Sequence, residues 1–243
     1  MDSSCIVLVT GASRGLGLGI VGELLDAGFR VVGVARSESA ELQAVMERYR
    51  DRMLFEPFDL SSTADIQTFV ADLHRRLGRF YGLVNNAGIG RDGVLATMHE
   101  RQIHEVLDVN LIAPTLLCKY LSRGMLLNRF GRIVNISSII ASSGFSGLSV
   151  YAASKAGIIG LTKSLSRELG KAGITVNAVS PGYLETSMSG TLNEKQLATI
   201  RRRSPSGRFV TIEEVAKTVR FLLSDAASGI NGANLVVDLG STA

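Results

Sequence analysis

Cys5-Ile6-Val7-Leu8-Val9-Thr10-Gly11-Ala12-Ser13-Arg14-Gly15-Leu16-Gly17 decides how the rest of the chain folds. Its first five residues form a short apolar run, the pattern of a strand buried on both faces. The run passes directly into a turn with glycines at 11, 15 and 17, then into a helical stretch reaching Gly28. Glycines let a backbone approach a pyrophosphate closely, and the N-terminus of the following helix favours anions. The spacing is G-x-x-x-G-x-G rather than the G-x-G-x-x-G of the commonest dinucleotide fingerprint. Strand, glycine turn and helix in this order predict a dinucleotide site at residues 11–17.

The same alternation recurs along the chain. A second strand over residues 30–35 ends at Arg36. A third opens at Met53-Leu54-Phe55 and stops before Asp59-Leu60, after which Ser62, with Asp65 three residues on, is placed to cap a helix. Leu83-Val84 feed Asn85-Asn86-Ala87-Gly88, and a long helical stretch covers residues 100–127. A fifth strand over 133–136 delivers Ser137-Ser138, and a helix runs from Tyr151 to Leu169. A sixth over 174–178 leads to Pro181-Gly182, residues 187–209 read as a polar, irregular and mobile lid, and Thr211-Ile212-Glu213-Glu214 is a capping box for a helix to Leu223. Leu235-Val236-Val237 is the seventh strand. This predicts an α/β fold: one Rossmann-type, doubly wound parallel sheet with helices on both faces, in a single domain spanning 1–243. Functional loops then gather at the C-terminal ends of the strands.

Composition narrows the classes. At 243 residues and 46% hydrophobic, the chain has enough length for a large core. Its first residues show no basic n-region or long apolar h-region, and no run reaches the ~18 residues of a membrane span. A cytoplasmic protein with no membrane partner is expected. Net charge is +4 and 20 of the 26 basic residues are Arg, with no block of five like charges, so nucleic acid is not expected as a partner. Arg201-Arg202-Arg203 reads as a solvated helix end. His99 and His104 are five apart rather than the four of a helical zinc motif, so no metal site is expected. Cys5 and Cys118 read as two buried thiols.

The chemistry centres on Tyr151-Ala152-Ala153-Ser154-Lys155. Residues four apart share a helix face, so a phenol and an ammonium can point into one cleft. Tyr has an ordinary pKa near 10, and a cation about 4 Å away favours the phenolate, which predicts a lowered Tyr151 pKa. A hydroxyl from Ser138 can hold a carbonyl oxygen beside the phenol. Cofactors without a 2′-phosphate usually meet an acid about twenty residues past the glycine turn. Arg36 stands there instead, with Arg14 inside the turn, and two guanidinium groups suit a phosphate, which favours NADP(H). Glu38 lies nearby.

The motifs together resemble the short-chain dehydrogenase/reductase family over nearly the whole chain. They are Thr10-Gly11-x-x-x-Gly15-x-Gly17, Asn85-Asn86-Ala87-Gly88, Asn110, Ser138, Tyr151-x-x-x-Lys155 and Pro181-Gly182. Within that family the chain is most similar to 3-oxoacyl-(acyl-carrier-protein) reductases, on Gly131-Arg-Ile-Val-Asn-Ile-Ser-Ser, Gly173-Ile-Thr-Val-Asn and Pro181-Gly-Tyr-Leu-Glu-Thr186. The resemblance implies an NADP-dependent oxidoreductase of fatty acid biosynthesis, acting on an acyl carrier protein-linked 3-oxoacyl thioester. A small ketone, sugar or steroid alcohol is the alternative substrate, and a non-catalytic NADP-binding protein a further reading. It implies Asn110, Ser138, Tyr151 and Lys155 as catalytic, with Ser138 and Tyr151 touching substrate. It assigns the cofactor to Gly11, Ser13, Arg14, Gly15, Leu16, Gly17, Arg36, Asp59, Leu60, Asn86, Ala87, Gly88, Tyr151, Lys155, Pro181, Gly182, Leu184 and Thr186.

Four further expectations follow. Pro114, four residues after Asn110, has no N–H to offer its carbonyl, so the helix should kink there and leave that carbonyl for a water linking Lys155 to solvent. Arg129, Arg132 and Lys171 are expected to dock an acidic carrier beside the substrate entrance. A homo-oligomer, dimer or tetramer, is expected from the family, although Leu239 stands where similar reductases have glycine. The small-residue stripe Ala152, Ala156, Gly160 serves either a helix contact between subunits or packing against the sheet.

Overall fold

The computed structural model describes residues 5–184 and 194–243. The strands are β1 (Ile6–Thr10), β2 (Arg30–Ala35), β3 (Met53–Pro57), β4 (Gly82–Asn85), β5 (Gly131–Ile136), β6 (Ile174–Pro181) and β7 (Asn234–Val237). The helices are α1 (Gly15–Asp26), α2 (Ala40–Arg48), α3 (Ile66–Leu77), α4 (Glu100–Leu107), α5 (Ala113–Asn128), α6 (Ile140–Ser143), α7 (Ser149–Leu169), α8 (Glu194–Arg203) and α9 (Ile212–Leu223). One seven-stranded sheet has the order β3-β2-β1-β4-β5-β6-β7, every pair parallel.

Successive strand residues point to opposite faces, so β1 supplies two cores. Val7 and Val9 join the core built with Ile20 and Leu24 of α1 and Val215 and Val219 of α9. Ile6 and Leu8 join the other, with Val70 and Leu73 of α3 and Leu117 and Leu121 of α5. Helices α1, α2, α3 and α6 follow the C-terminal ends of β1, β2, β3 and β5, as a parallel crossover requires, and the functional loops collect at that edge.

Local chemistry changes several of the expected elements. Ser62 makes no capping bond; a 3-10 turn, Thr63–Asp65, intervenes, and α3 begins at Ile66. Asp59 instead accepts from the N–H and hydroxyl of Ser61, at 2.9 and 2.8 Å. The 187–209 stretch is not irregular throughout, since α8 occupies part of it and ends on Arg201, Arg202 and Arg203. Residues 187–193 lie outside the described residues. The box ahead of α9 forms as expected: Glu214 N–H donates to Thr211 Oγ1 at 3.2 Å, and Thr211 N–H to Glu214 Oε2 at 2.9 Å. Arg208 grips the Glu214 carboxylate and, with those cap bonds, holds its pKa down to about 2.

Cys118 is buried, but Cys5 lies just before β1 and is only half-buried. Ala156 and Gly160 are exposed on α7, so the stripe does not pack on the sheet. Leu239 adopts a left-handed φ of 57°, a conformation glycine enters without strain and leucine does not.

Candidate active site

The glycine turn is closed by contact. A Cβ at Gly17 would collide with the Gly11 carbonyl oxygen, and Gly11 itself has φ +67°. Asn86, at the end of β4, donates from Nδ2 to Thr10 O at 2.8 Å. Thr10 Oγ1 accepts from Asn86 N and Ala87 N, both at 3.0 Å. The turns after β1 and β4 are therefore one unit. Arg14, the residue ahead of α1, is extended and puts no side-chain cap on the helix. The first N–H groups of α1 keep their capacity for an anion. Ser13 is tied to the turn after β2 by Ser39 Oγ, which donates to Ser13 O at 2.6 Å. Leu16 is half-buried against the core and Gly15 has φ +55°.

Arg36 is exposed at the end of β2, and its charge helps Ser61 hold the Asp59 carboxyl below its ordinary range. Leu60 is buried beside it. Glu38 accepts from Gln43 Nε2 at 3.0 Å. Gly182, after β6, donates to Val237 O at 2.9 Å, and Pro181 and Leu184 flank it. Thr186 lies outside the described residues.

The helix expected over 100–127 is broken at the anticipated place, and the break is a π turn over Asp108–Ile112, in which Ala113 N–H donates to Asp108 O five residues back. Pro114 cannot donate to Asn110, and widening the turn ahead of it accommodates that loss. The turn aims Asn110, 1% exposed, into the site. Its Oδ1 accepts from Ile89 N at 2.8 Å; its Nδ2 donates to Ile89 O at 2.9 Å and Ser154 Oγ at 3.2 Å. Asn110 thus pins the strand of chain that leaves Gly88. A Cβ on Gly88 would lie 3.3 Å from Lys155 Nζ and 3.4 Å from Asn110 Oδ1.

Lys155, 4% exposed, donates from Nζ to Ile136 O at 2.9 Å, and Nζ sits 5.7 Å from the Tyr151 ring centre. Ser138 hydrogen-bonds the phenol of Tyr151 and accepts from Ile140 N at 3.2 Å. The expected lowering of the Tyr151 pKa is not what the structure gives. Burial pushes the phenol up, with the Ser138 bond acting against it. Burial likewise pushes Lys155 down to about 8. Removal from water disfavours both charged forms, and Lys155 spends a proton on a neutral carbonyl rather than on the phenol.

The docking patch is also corrected. Arg132 is 2% exposed and unavailable to a partner. Arg129 donates to Lys171 O at 3.1 Å, but Arg129 precedes β5 while Ser138 follows it. Six residues of strand, about 20 Å, separate them, so Arg129 and Lys171 flank the sheet's other edge.

A polar chain beneath the site escaped the sequence reading. Asn85 Nδ2 donates to Asn135 Oδ1 at 2.8 Å, and Asn135 Nδ2 to Thr162 Oγ1 at 2.9 Å. Ser137 Oγ donates to Lys155 O at 2.9 Å. Asparagines inside two apolar strands were the available signal, since a buried amide demands partners.

A Rossmann-type sheet with this Ser-Tyr-Lys set at its C-terminal edge defines an oxidoreductase, and the chain belongs to the short-chain dehydrogenase/reductase family. The family description that matches, over residues 11–242, is enoyl-(acyl carrier protein) reductase. Among relatives, the 3-oxoacyl-[acyl-carrier-protein] reductase FabG of Escherichia coli is 39% identical over 97% of this chain and 96% of its own length. That of Haemophilus influenzae is 38% identical over 97% of both. A solved structure from Beutenbergia cavernae, described as an NAD(P)-dependent gluconate 5-dehydrogenase with bound NADP, superposes with a TM-score of 0.93 at 33% identity, covering 98% of this chain and 96% of that one.

Proposed function

We propose that this chain reduces a 3-oxoacyl thioester, carried on an acyl carrier protein, to the 3-hydroxyacyl product with NADPH. The observation that carries the reading is geometric: Ser138 after β5 and Lys155 one helical turn from Tyr151, with Nζ 5.7 Å from the Tyr151 ring centre, meet at one phenol. Burial holds Tyr151 in its neutral form beside Ser138, and a neutral phenol is the acid that a carbonyl reduction consumes. Ser138 polarises the carbonyl oxygen, Tyr151 gives it a proton, and Lys155, held by Ile136 O, stands behind Tyr151 as the next cation in line. Asn110 fixes the chain past Gly88 that frames Lys155.

The residues fit a dinucleotide. The N-terminus of α1 carries no side-chain cap, Gly11 and Gly17 let the turn pack closely on Asn86 and Ala87, and a Cβ on Gly88 would crowd the space in front of Lys155 and Asn110. When bound, the nicotinamide supplies the hydride. Ser13, Gly15, Leu16, Asn86, Ala87, Pro181, Gly182, Leu184 and Thr186 complete the binding set, with Asp59 and Leu60 at the adenine. Arg14 and Arg36 are both exposed and would hold a 2′-phosphate, and Glu38 is engaged by Gln43. Replacing Arg36 with Ala should raise the KM for NADPH about tenfold or more while changing that for NADH little. Equal use of both cofactors by the parent would defeat the NADP assignment.

The thioester class is supported by the FabG relatives. The gluconate 5-dehydrogenase neighbour supports a second reading, oxidation of a sugar acid. Steady-state assays with a 3-oxoacyl thioester and NADPH, against gluconate and NADP⁺, separate them. Turnover of gluconate alone would replace the first reading by the second.

A further inference from the structure

Two loops frame the mouth of the Ser138–Tyr151 site, and they are tied together. The loop after β4 leaves Gly88, is held by Asn110 at Ile89, and reaches Gly93. The loop after β5 joins Ser138 to Tyr151 through α6 and reaches Gly147. Gly93 N–H donates to Gly147 O at 3.0 Å. Within two residues of that junction stand three large apolar side chains turned to water: Val94 at 63%, Leu95 at 53% and Phe145 at 51% exposure. Single exposed apolar residues need no explanation, but three at one junction on the rim of a reaction site form a patch.

We infer that Val94, Leu95 and Phe145 form an open apolar platform that takes the alkyl tail of the substrate and sets a preference for longer acyl chains. This rests on the 3-oxoacyl reading above and extends it. The carbonyl must lie at Ser138 and Tyr151, and Phe145 lies on the one loop joining those two residues. A tail leaving the carbonyl carbon toward the rim meets the junction. Among the described residues the platform covers one side only, so it fits a flexible chain of variable length rather than a ring that needs an enclosing pocket. A polyhydroxylated tail would trade hydration for apolar contact there and gain nothing.

The test uses 3-oxoacyl thioesters of N-acetylcysteamine from four to ten carbons, which need no carrier protein. Full burial of a methylene is worth about fourfold in an equilibrium, and one-sided contact about half of that in free energy, so kcat/KM should rise about twofold per methylene. The double variant Leu95→Ser, Phe145→Ser should flatten this rise and leave the four-carbon rate within about twofold of the parent. Leu126→Ser, Leu127→Ser, made on exposed leucines at the opposite edge of the sheet, should keep the rise intact. A rise that survives the rim variant overturns the platform, as does a flat profile in a parent that turns over the four-carbon ester. A parent that elutes as an oligomer and a rim variant that elutes as a monomer would give the patch to a second copy of the chain and overturn it too. If the parent reduces no 3-oxoacyl thioester of any length, the substrate reading fails, and the tail proposal falls with it.

Discussion

A buried cation sits at each end of β5, Lys155 of α7 at one and the strand's own Arg132 at the other, and the two are used in opposite ways. At its C-terminal end Lys155 donates to Ile136 O and titrates down to about 8. At its N-terminal end Arg132 donates to Gly131 O at 3.0 Å and Gly173 O at 3.4 Å, meets Asp225 at 3.4 Å, and lies over the Phe130 ring at 4.6 Å. A guanidinium stays charged in any protein environment, whereas an ammonium surrenders its proton when buried. The edge proposed to perform the chemistry has the cation that can change state. The edge that holds strands and loops together has the one that cannot.

The strongest way to break this contrast is at the reactive end. Tyr151→Phe should lower turnover by about a thousandfold, with NADPH affinity by fluorescence titration nearly intact. Lys155→Met should also abolish turnover without lowering the melting temperature, because a desolvated charge is removed. A variant of either residue with near-normal turnover would place the chemistry elsewhere. At the other end the roles reverse. Arg132→Met removes the guanidinium bonds to two carbonyls and to Asp225 and should cost about 2–3 kcal/mol in urea unfolding, while kcat of the folded enzyme stays within about twofold. Loss of activity without loss of stability there would erase the distinction.

The smallest effect concerns pH. The folded Lys155 value of about 8 lies under the ordinary 10.5, so above pH 8 the folded chain gives up a proton the unfolded chain retains. Stability from this residue therefore rises with pH between about 8 and 10.5, and is lost again as pH falls through 8. Cys118 and Tyr81, both pushed up to about 12, and Tyr151 act in the opposite sense at high pH. The difference between the parent and Lys155→Met isolates the lysine, and it should narrow as pH climbs from 8 toward 10. A constant difference would mean that Lys155 keeps its charge in the fold.

The sheet was legible because each strand is an apolar run bounded by turn residues, and glycine and asparagine turns mark where the runs end. β1, β5 and β7 differ from the reading by two residues or fewer at either boundary. What stayed hidden depends on residues far apart in sequence. Arg132 sits in a strand close to Arg129, and its distant partners, Gly173 and Asp225, lie 41 and 93 residues on. The sign of the Tyr151 shift was misread for a related reason. Spacing brings Lys155 near the phenol, but the depth of burial and the competing Ile136 carbonyl come from β5. The π turn was half-legible: Pro114 announces a break, but not that the helix widens to absorb it.

The strand order also has a consequence in time. β1 is made first yet lies in the middle of the sheet, with Ile6 opposite Arg30 on one side and Val7 opposite Gly82 on the other. At about 5–20 residues per second of synthesis, the second edge of β1 waits about 4–15 s for its partner. Parallel pairings over such separations also close slowly, because chain entropy is lost before contacts form. Each nascent chain therefore carries an open apolar strand edge for that interval, a hazard of aggregation set by topology and untouched by any residue of the site.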